Sequence, residues 1–130
     1  IRVEIDISAM EVNSDRKWLI FILDQIISNS LKYTDKGGKI KIHAEQDERG
    51  KRLIITDNGT GIRAEDLERV FDRGFTGYNG RKFRKSTGMG LYLAIKLARK
   101  LGHEISIASE YGEYTRVTVH FPKLGDYYNV

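Results

Sequence analysis

The sequence has no cysteine among its 130 residues. This absence excludes a disulfide framework, a thiolate zinc site and thiol catalysis. No apolar run approaches the roughly 18 residues that a membrane-spanning helix needs, and no signal peptide is visible. The chain begins at Ile1 directly in a strand-like pattern, so we expect it to be a single domain from a longer protein.

Acidic residues are missing from one segment, and the positive charge of the chain is concentrated there. The net charge is +4, from 22 basic and 18 acidic residues. Without the five basic residues between Arg73 and Thr87, 17 basic residues stand against 18 acidic ones. Because a nucleic-acid-binding domain usually presents a broad basic face, this distribution argues against a nucleic-acid partner and favours a small polyanion. The five residues are Arg73, Arg81, Lys82, Arg84 and Lys85.

Hydrophobic periodicity predicts a mixture of strands and helices. Period-two alternation predicts strands at 2–7, 39–46, 52–57, 104–109 and 115–121. In the first of these, Val3, Ile5 and Ile7 alternate with polar residues, which predicts a half-buried strand. Helical spacing predicts a helix from Arg16 to about Tyr33, a short helix around 64–71, and a helix from 89 to 101 that stops at Gly102. We therefore expect an α+β fold: a two-layer α/β sandwich whose mixed, mostly antiparallel sheet is covered by helices on one face.

The first of four polar clusters lies on the long helix. Gln25, Asn29 and Lys32 recur at spacings of four and three, so they share one side of the helix. An asparagine carbonyl is a hard oxygen ligand suited to Mg²⁺, and a lysine suits a phosphate. Taken alone, the same pattern is also typical of a solvated helix flank.

Two glycine-rich stretches follow strand and helix boundaries. In "DNGTGI", Asp57 stands at a strand end before Gly59 and Gly61, which favours ligand contact but is also typical of a tight turn. In "TGMGLYLA", Gly88 and Gly90 stand at a helix start, where unpaired N–H groups and a partial positive charge attract phosphate. A dinucleotide-binding fingerprint is excluded because no strand precedes these glycines and no third glycine follows at the required spacing.

The last cluster is the long basic segment itself, "FDRGFTGYNGRKFRKS". Its length, its three glycines and its charge favour a lid over a ligand, with Phe75 and Phe83 as anchors when it closes. A disordered connection is the alternative interpretation.

In this order and at these intervals, the four clusters resemble the ATP-binding domain of sensor histidine kinases. That domain belongs to the gyrase, chaperone, histidine kinase and MutL superfamily, whose fold is of the Bergerat type. The helix cluster matches the N box, "DNGTGI" the first glycine box, the basic segment the phenylalanine box, and "TGMG" the second glycine box. The residues that carry these matches are Asn29, Lys32, Tyr33, Asp57, Gly59, Gly61, Phe71, Phe75, Gly77, Gly88 and Gly90.

The resemblance implies ATP and Mg²⁺ as cofactors. It implies that Asp57 accepts the adenine amino group beside Thr115, and that Asn29 holds the metal. Tyr33 and Ile62 would pack near the base or ribose. The complete set of nucleotide-binding residues implied is Asn29, Lys32, Tyr33, Asp57, Gly59, Gly61, Ile62, Thr76, Gly77, Arg84, Lys85, Thr87, Gly88, Met89, Gly90, Leu91 and Thr115.

Gln25 departs from the pattern of the superfamily's ATP hydrolases, which carry a glutamate four residues before the metal asparagine. Sensor kinases commonly carry asparagine there. Glutamine cannot act as a general base, so we expect Gln25 and Asn29 to serve phosphoryl transfer to a protein acceptor rather than hydrolysis.

The resemblance also implies partners. These are a histidine-bearing dimerisation domain of the same parent and a response regulator. The stretches "FILDQIISNSLKYT" and "GFTGYNGRKFRKSTGMGLYLA" more narrowly resemble kinases that act beside antimicrobial-peptide transporters, which adds a membrane transporter as a partner. The chain would then be a cytoplasmic domain of a plasma-membrane protein. The alternatives are an anti-sigma-factor serine kinase of the same fold and a nucleic-acid-binding module that uses the basic segment.

Overall fold

The computed structural model describes residues 1–7, 11–67 and 89–122. One five-stranded sheet has the strand order β1-β2-β3-β5-β4. Strands β1 and β2 run parallel, and the other three neighbouring pairs run antiparallel. The strands are β1 (Arg2–Asp6), β2 (Lys39–Asp47), β3 (Gly50–Asp57), β4 (Glu104–Glu110) and β5 (Tyr114–Pro122), and the helices are α1 (Arg16–Tyr33), α2 (Ala64–Leu67) and α3 (Met89–Lys100).

The hydrophobic core lies between the sheet and the two long helices. Alternating strand residues and helix residues at spacings of three and four form one buried cluster, as the periodicities predict. The predicted two-layer α/β sandwich is therefore confirmed. The cluster contains Ile22, Ile26, Ile40, Ile42, Ile55, Ala94, Ile95, Ala98, Ile105, Val117, Val119 and Phe121.

The start and the end of α1 are set by side chains. The Asp15 carboxylate caps the helix by accepting the N–H of Trp18 at 3.1 Å. At the other end, the Thr34 hydroxyl donates to the Ser30 carbonyl at 2.6 Å, one turn back. With the ends fixed, Ile22, Ile26 and Ser30 are buried, and the side that carries Gln25, Asn29 and Lys32 lies next to this buried stripe.

Helix α3 ends at a glycine, as predicted. Gly102 has a φ of 82°, a conformation that costs glycine little. The N–H of Gly102 donates to the Arg99 carbonyl at 3.1 Å, and the N–H of His103 donates to the Ala98 carbonyl at 2.8 Å. This pair of bonds is a Schellman motif, which satisfies carbonyls at the helix end and turns the chain into β4.

The prediction that the first strand is half-buried is wrong, although the strand exists. Val3, Ile5 and Ile7 are 48%, 68% and 45% exposed. Val3 pairs with Ile40 and Ile5 with Ile42, so β1 presents them on the core side of the sheet. They are exposed because β1 is the edge strand and α1 packs over β3.

The short helix is confirmed as α2, but it is described only from Ala64 to Leu67. Val70 and Phe71, which belong to the predicted range of this helix, lie outside the described residues. No helix in the described part of the chain is both long enough and apolar enough to cross a bilayer.

Candidate functional site

Asp57 is the buried acid of the candidate site. It ends β3 and is 4% exposed. Its carboxylate accepts the N–H of Gly59 at 3.0 Å and a hydrogen bond from the Ser30 side chain. Burial raises the pKa of Asp57 above the ordinary value, while these two hydrogen bonds act in the opposite direction. A desolvated carboxylate at a strand end is suited to accept a hydrogen bond from a ligand.

The loop after Asp57 lies directly against the C-terminal end of α1. The N–H of Thr60 donates to the Tyr33 carbonyl at 3.2 Å. A Cβ at Gly59 would collide with that same carbonyl oxygen and would lie 2.9 Å from Oδ1 of Asp57. Only glycine permits this close approach. Gly59 therefore lets the glycine loop, the second predicted cluster, pack against the helix that carries the first.

Gly61 allows a similarly close approach between the loop and the β4–β5 turn. Its φ is 72°, and a Cβ there would collide with the Glu110 carbonyl oxygen. The N–H of Gly112 donates to the Thr60 carbonyl at 2.7 Å, and the N–H of Ile62 donates to Oγ of Ser109 at 2.7 Å. The glycine loop is therefore fixed by α1 on one side and by the β4–β5 hairpin on the other.

Thr115 stands beside Asp57 in the sheet. The two residues are direct partners in the antiparallel register of β3 and β5, which places their side chains on the same face. Thr115 is half-buried, and its Oγ1 lies 3.2 Å from Oγ of Ser109. The structure thus brings together two residues that are 58 positions apart and that the resemblance assigned to one ligand group.

The polar flank of α1 supplies the other candidate groups. Gln25 and Asn29 are half-buried, and Lys32 is exposed. Within residues 1–7, 11–67 and 89–122 there is no group of three or more His, Cys, Asp or Glu side chains that could hold a metal. The carboxamide oxygen of Asn29 fits a Mg²⁺ ion of the kind that takes one or two protein oxygens and completes its shell with phosphate and water.

The second glycine box is described only in part. Helix α3 is described from Met89, includes Gly90, and packs the half-buried Leu91 against the core, so the predicted helix after the glycines is confirmed. The predicted lid and several predicted phosphate ligands lie outside the described residues. Those ligands are Thr76, Gly77, Arg84, Lys85, Thr87 and Gly88.

Two serines of the site were missed by the sequence analysis. Ser30 follows Ile22 and Ile26 at a spacing of four, so its burial could have been expected from the helical period. Ser109 continues the inward positions of Ile105 and Ile107 along β4. A polar residue at an inward position is the signal that would have identified both, because a buried hydroxyl needs hydrogen-bond partners.

A cavity of about 910 Å³ lies at the opposite end of the sandwich, among the β2–β3 turn, the end of α3 and the end of β5. The His103 ring packs against Phe121 with centroids 4.7 Å apart, and its Nε2 lies 2.7 Å from Oγ of Ser14. Burial lowers the pKa of His103. None of the predicted site residues that the structure describes lines this cavity. We place the functional site at the Asp57 end, where a buried carboxylate and a fixed glycine loop meet.

Comparison with known proteins identifies the family of the chain. The family model described as histidine kinase-, DNA gyrase B-, and HSP90-like ATPase matches residues 14–125. The chain is 42% identical over 122 residues to the sensor protein BceS of Bacillus subtilis (strain 168), covering 94% of this chain and 36% of that protein. It is 40% identical over 111 residues to the sensor protein kinase GraS of Staphylococcus aureus (strain MRSA252), covering 85% of this chain and 32% of that protein.

Solved structures show the same fold. The mycobacterial sensor histidine kinase MprB superposes with a TM-score of 0.83 at 23% identity, covering 93% of this chain and 82% of that one. The Acinetobacter baumannii histidine kinase AdeS superposes with a TM-score of 0.71 at 26% identity, covering 93% of this chain and 53% of that one. The chain spans about a third of the length of the curated relatives it matches.

Proposed function

The chain belongs to the family of histidine kinase-, DNA gyrase B- and HSP90-like ATPases, and from this premise we propose that it is the ATP-binding catalytic domain of a sensor histidine kinase. In this proposal it donates the γ-phosphate of Mg·ATP to a histidine on a separate dimerisation domain of its parent. The relatives at about 40% identity are named as sensor proteins and kinases, which favours this function over a serine kinase of the same fold.

Asp57 is the observation that carries the proposal. A carboxylate can accept about four hydrogen bonds, and Asp57, which is 4% exposed and whose pKa is raised by burial, accepts those of Gly59 and Ser30. The 6-amino group of adenine is a neutral donor that can supply a further hydrogen bond. Gly59 and Gly61 let the loop lie close to the backbone of Tyr33 on one side and of Glu110 on the other.

The flank of α1 completes the proposed site. In this proposal the half-buried Asn29 offers its carboxamide oxygen to Mg²⁺, and the exposed Lys32 contacts phosphate oxygens. When bound, Mg²⁺ would neutralise charge on the phosphates. Because the amide of Gln25 cannot take a proton from water, the chain has no base at the position that hydrolases use.

The three histidines of this chain are poorly placed to receive the phosphoryl group. His43 lies on strand β2 with its side chain 27% exposed, and its Nε2 is 3.6 Å from Oε1 of Glu45. His103 is 5% exposed and contacts Ser14 and Phe121. His120 is held on the sheet face opposite the core, 3.0 Å from Oγ of Ser106. We therefore place the acceptor histidine on another domain of the parent.

The proposed partners follow from the same similarities. Besides the dimerisation domain, they are a response regulator and, from the narrower similarity to BceS and GraS, a transporter in the membrane. The proposed location is the cytoplasmic side of the plasma membrane.

Labelling with γ-³²P-ATP tests the proposal. The purified chain is incubated with Mg²⁺ and labelled ATP, alone and with the separately expressed histidine-bearing domain of its parent. We expect acid-labile label on the added domain and none on this chain, with little phosphate released in either reaction. Label on this chain alone, or rapid phosphate release without the added domain, would reject the proposed division of roles.

A further inference from the structure

The hydroxyl of Ser109 uses its full hydrogen-bonding capacity. It accepts the N–H of Ile62 at 2.7 Å, contacts the Tyr114 carbonyl oxygen at 2.7 Å, and lies 3.2 Å from Oγ1 of Thr115. A serine hydroxyl has one proton and two lone pairs. Because a carbonyl oxygen has no proton, the contact with Tyr114 is favourable only when Ser109 donates there. The Ser109 proton is therefore already used in the bond to the Tyr114 carbonyl.

The direction of the remaining bond follows by elimination. With its proton on the Tyr114 carbonyl and one lone pair facing Ile62, Ser109 can meet Thr115 only as an acceptor. The Thr115 hydroxyl must then donate to Ser109. The lone pairs of the Thr115 hydroxyl then face away from Ser109, toward Asp57. Asp57 is the direct partner of Thr115 in the pairing of β3 and β5.

We propose that Ser109 is a positioning residue that orients the Thr115 hydroxyl as an acceptor, and that this orientation makes the site prefer adenine over guanine. The inference rests on the proposed function, in which Asp57 and Thr115 face the base. Two acceptors side by side match the 6-amino group of adenine. Guanine carries a carbonyl oxygen at that position, which would face lone pairs.

Removing the Ser109 hydroxyl frees the Thr115 hydroxyl to rotate. It can then donate toward the base and tolerate an acceptor there, so Ser109→Ala should lose discrimination more than it loses binding. A neutral hydrogen bond of ordinary net strength corresponds to a change of about two- to tenfold in the ratio of dissociation constants for GTP and ATP.

The test is calorimetric titration of the chain with ATP and, separately, with GTP, in the presence of Mg²⁺. We expect the GTP-to-ATP ratio of dissociation constants to fall about two- to tenfold in Ser109→Ala and to be restored in Ser109→Thr, which keeps a hydroxyl. Ser106→Ala is the matched control, since the Ser106 hydroxyl lies on the same strand but contacts His120 on the other sheet face. Its ratio should stay at the wild-type value.

A merely structural role gives a different result. If Ser109 only anchors the loop through Ile62, both affinities fall by the same factor, the ratio stays constant, and the inference is overturned. A second measurement uses Thr115→Val as the background, where Ser109→Ala should no longer change the ratio. If the alanine variant does not fold, Ser109→Cys, whose thiol is a weak donor and acceptor, should still lower the ratio. A wild-type chain that binds no ATP would instead reject the proposed function.

Discussion

Replacing Asp57 with asparagine separates ligand recognition from folding. The substitution preserves the shape of the side chain, and the asparagine oxygen can still accept the N–H of Gly59. What disappears is the charge of a residue that is 4% exposed. A hydrogen bond to a charged acceptor contributes about 1.5–3 kcal/mol, so we expect ATP affinity to fall roughly ten- to a hundredfold.

The same substitution should not weaken the fold. Burial raises the pKa of Asp57, so the folded state disfavours the ionised form more than the unfolded state does. The resulting stability is present below the unfolded pKa and is lost as pH rises through the folded pKa. At neutral pH the charged side chain is therefore a cost, and Asp57→Asn should leave the free energy of unfolding equal or higher.

Calorimetry with ATP and urea denaturation at pH 7.5 measure the two effects on the same protein. Asp24→Asn is the control, because Asp24 lies on the exposed side of α1. It should change neither quantity. Unchanged ATP affinity in a folded Asp57→Asn variant would refute the role of Asp57, and a large loss of stability would refute the account of its burial.

Three further predictions concern other parts of the chain. Asn29→Ala should weaken ATP binding with Mg²⁺ more than binding of metal-free ATP in EDTA, and equal losses by calorimetry would make Asn29 a plain structural residue. Gly59→Ala should lower ATP affinity tenfold or more in calorimetry, because the new Cβ would collide with the Tyr33 carbonyl. The control is Gly112→Ala, whose Cβ would have nothing within 4 Å. It should lower the free energy of unfolding in urea by only about 1 kcal/mol, from backbone strain. Burial lowers the pKa of His103 from 6.5, so its contribution to stability should be lost as pH falls below about 6.5. Urea denaturation of His103→Gln should show a flatter decline between pH 7.5 and 5.5, and an identical decline would contradict this.

Local patterns predicted the elements well because local chemistry determines them. Asp15 caps α1 and Gly102 ends α3 through bonds within a few residues of each position. Such signals are contained in a short window of sequence. The order of the motif clusters was likewise sufficient to identify the ATPase family, and the family match confirms that resemblance.

Contacts between distant segments explain what the sequence analysis missed. The alternation in β1 correctly predicted which residues share a face, but it could not show that the helices stop short of this edge strand. Ser109 accepts the N–H of Ile62, which is 47 positions away, and that partner depends on how the β4–β5 hairpin docks on the glycine loop. The period of a strand predicts on which face a side chain lies, but the residues that it contacts there depend on how distant segments pack.

The location of the nucleotide site can be measured directly by titrating ¹⁵N-labelled chain with Mg·ATP and following the backbone amide resonances. The account predicts saturable shifts at Gly59, Gly61 and Ile62 and along the end of α1, with little change around the cavity at the opposite end. Asp57→Asn should abolish these shifts at the same ATP concentration. Shifts concentrated at Lys51 and His103, with the glycine loop unaffected, would contradict the central claim that ATP binds at the Asp57 end of the sandwich.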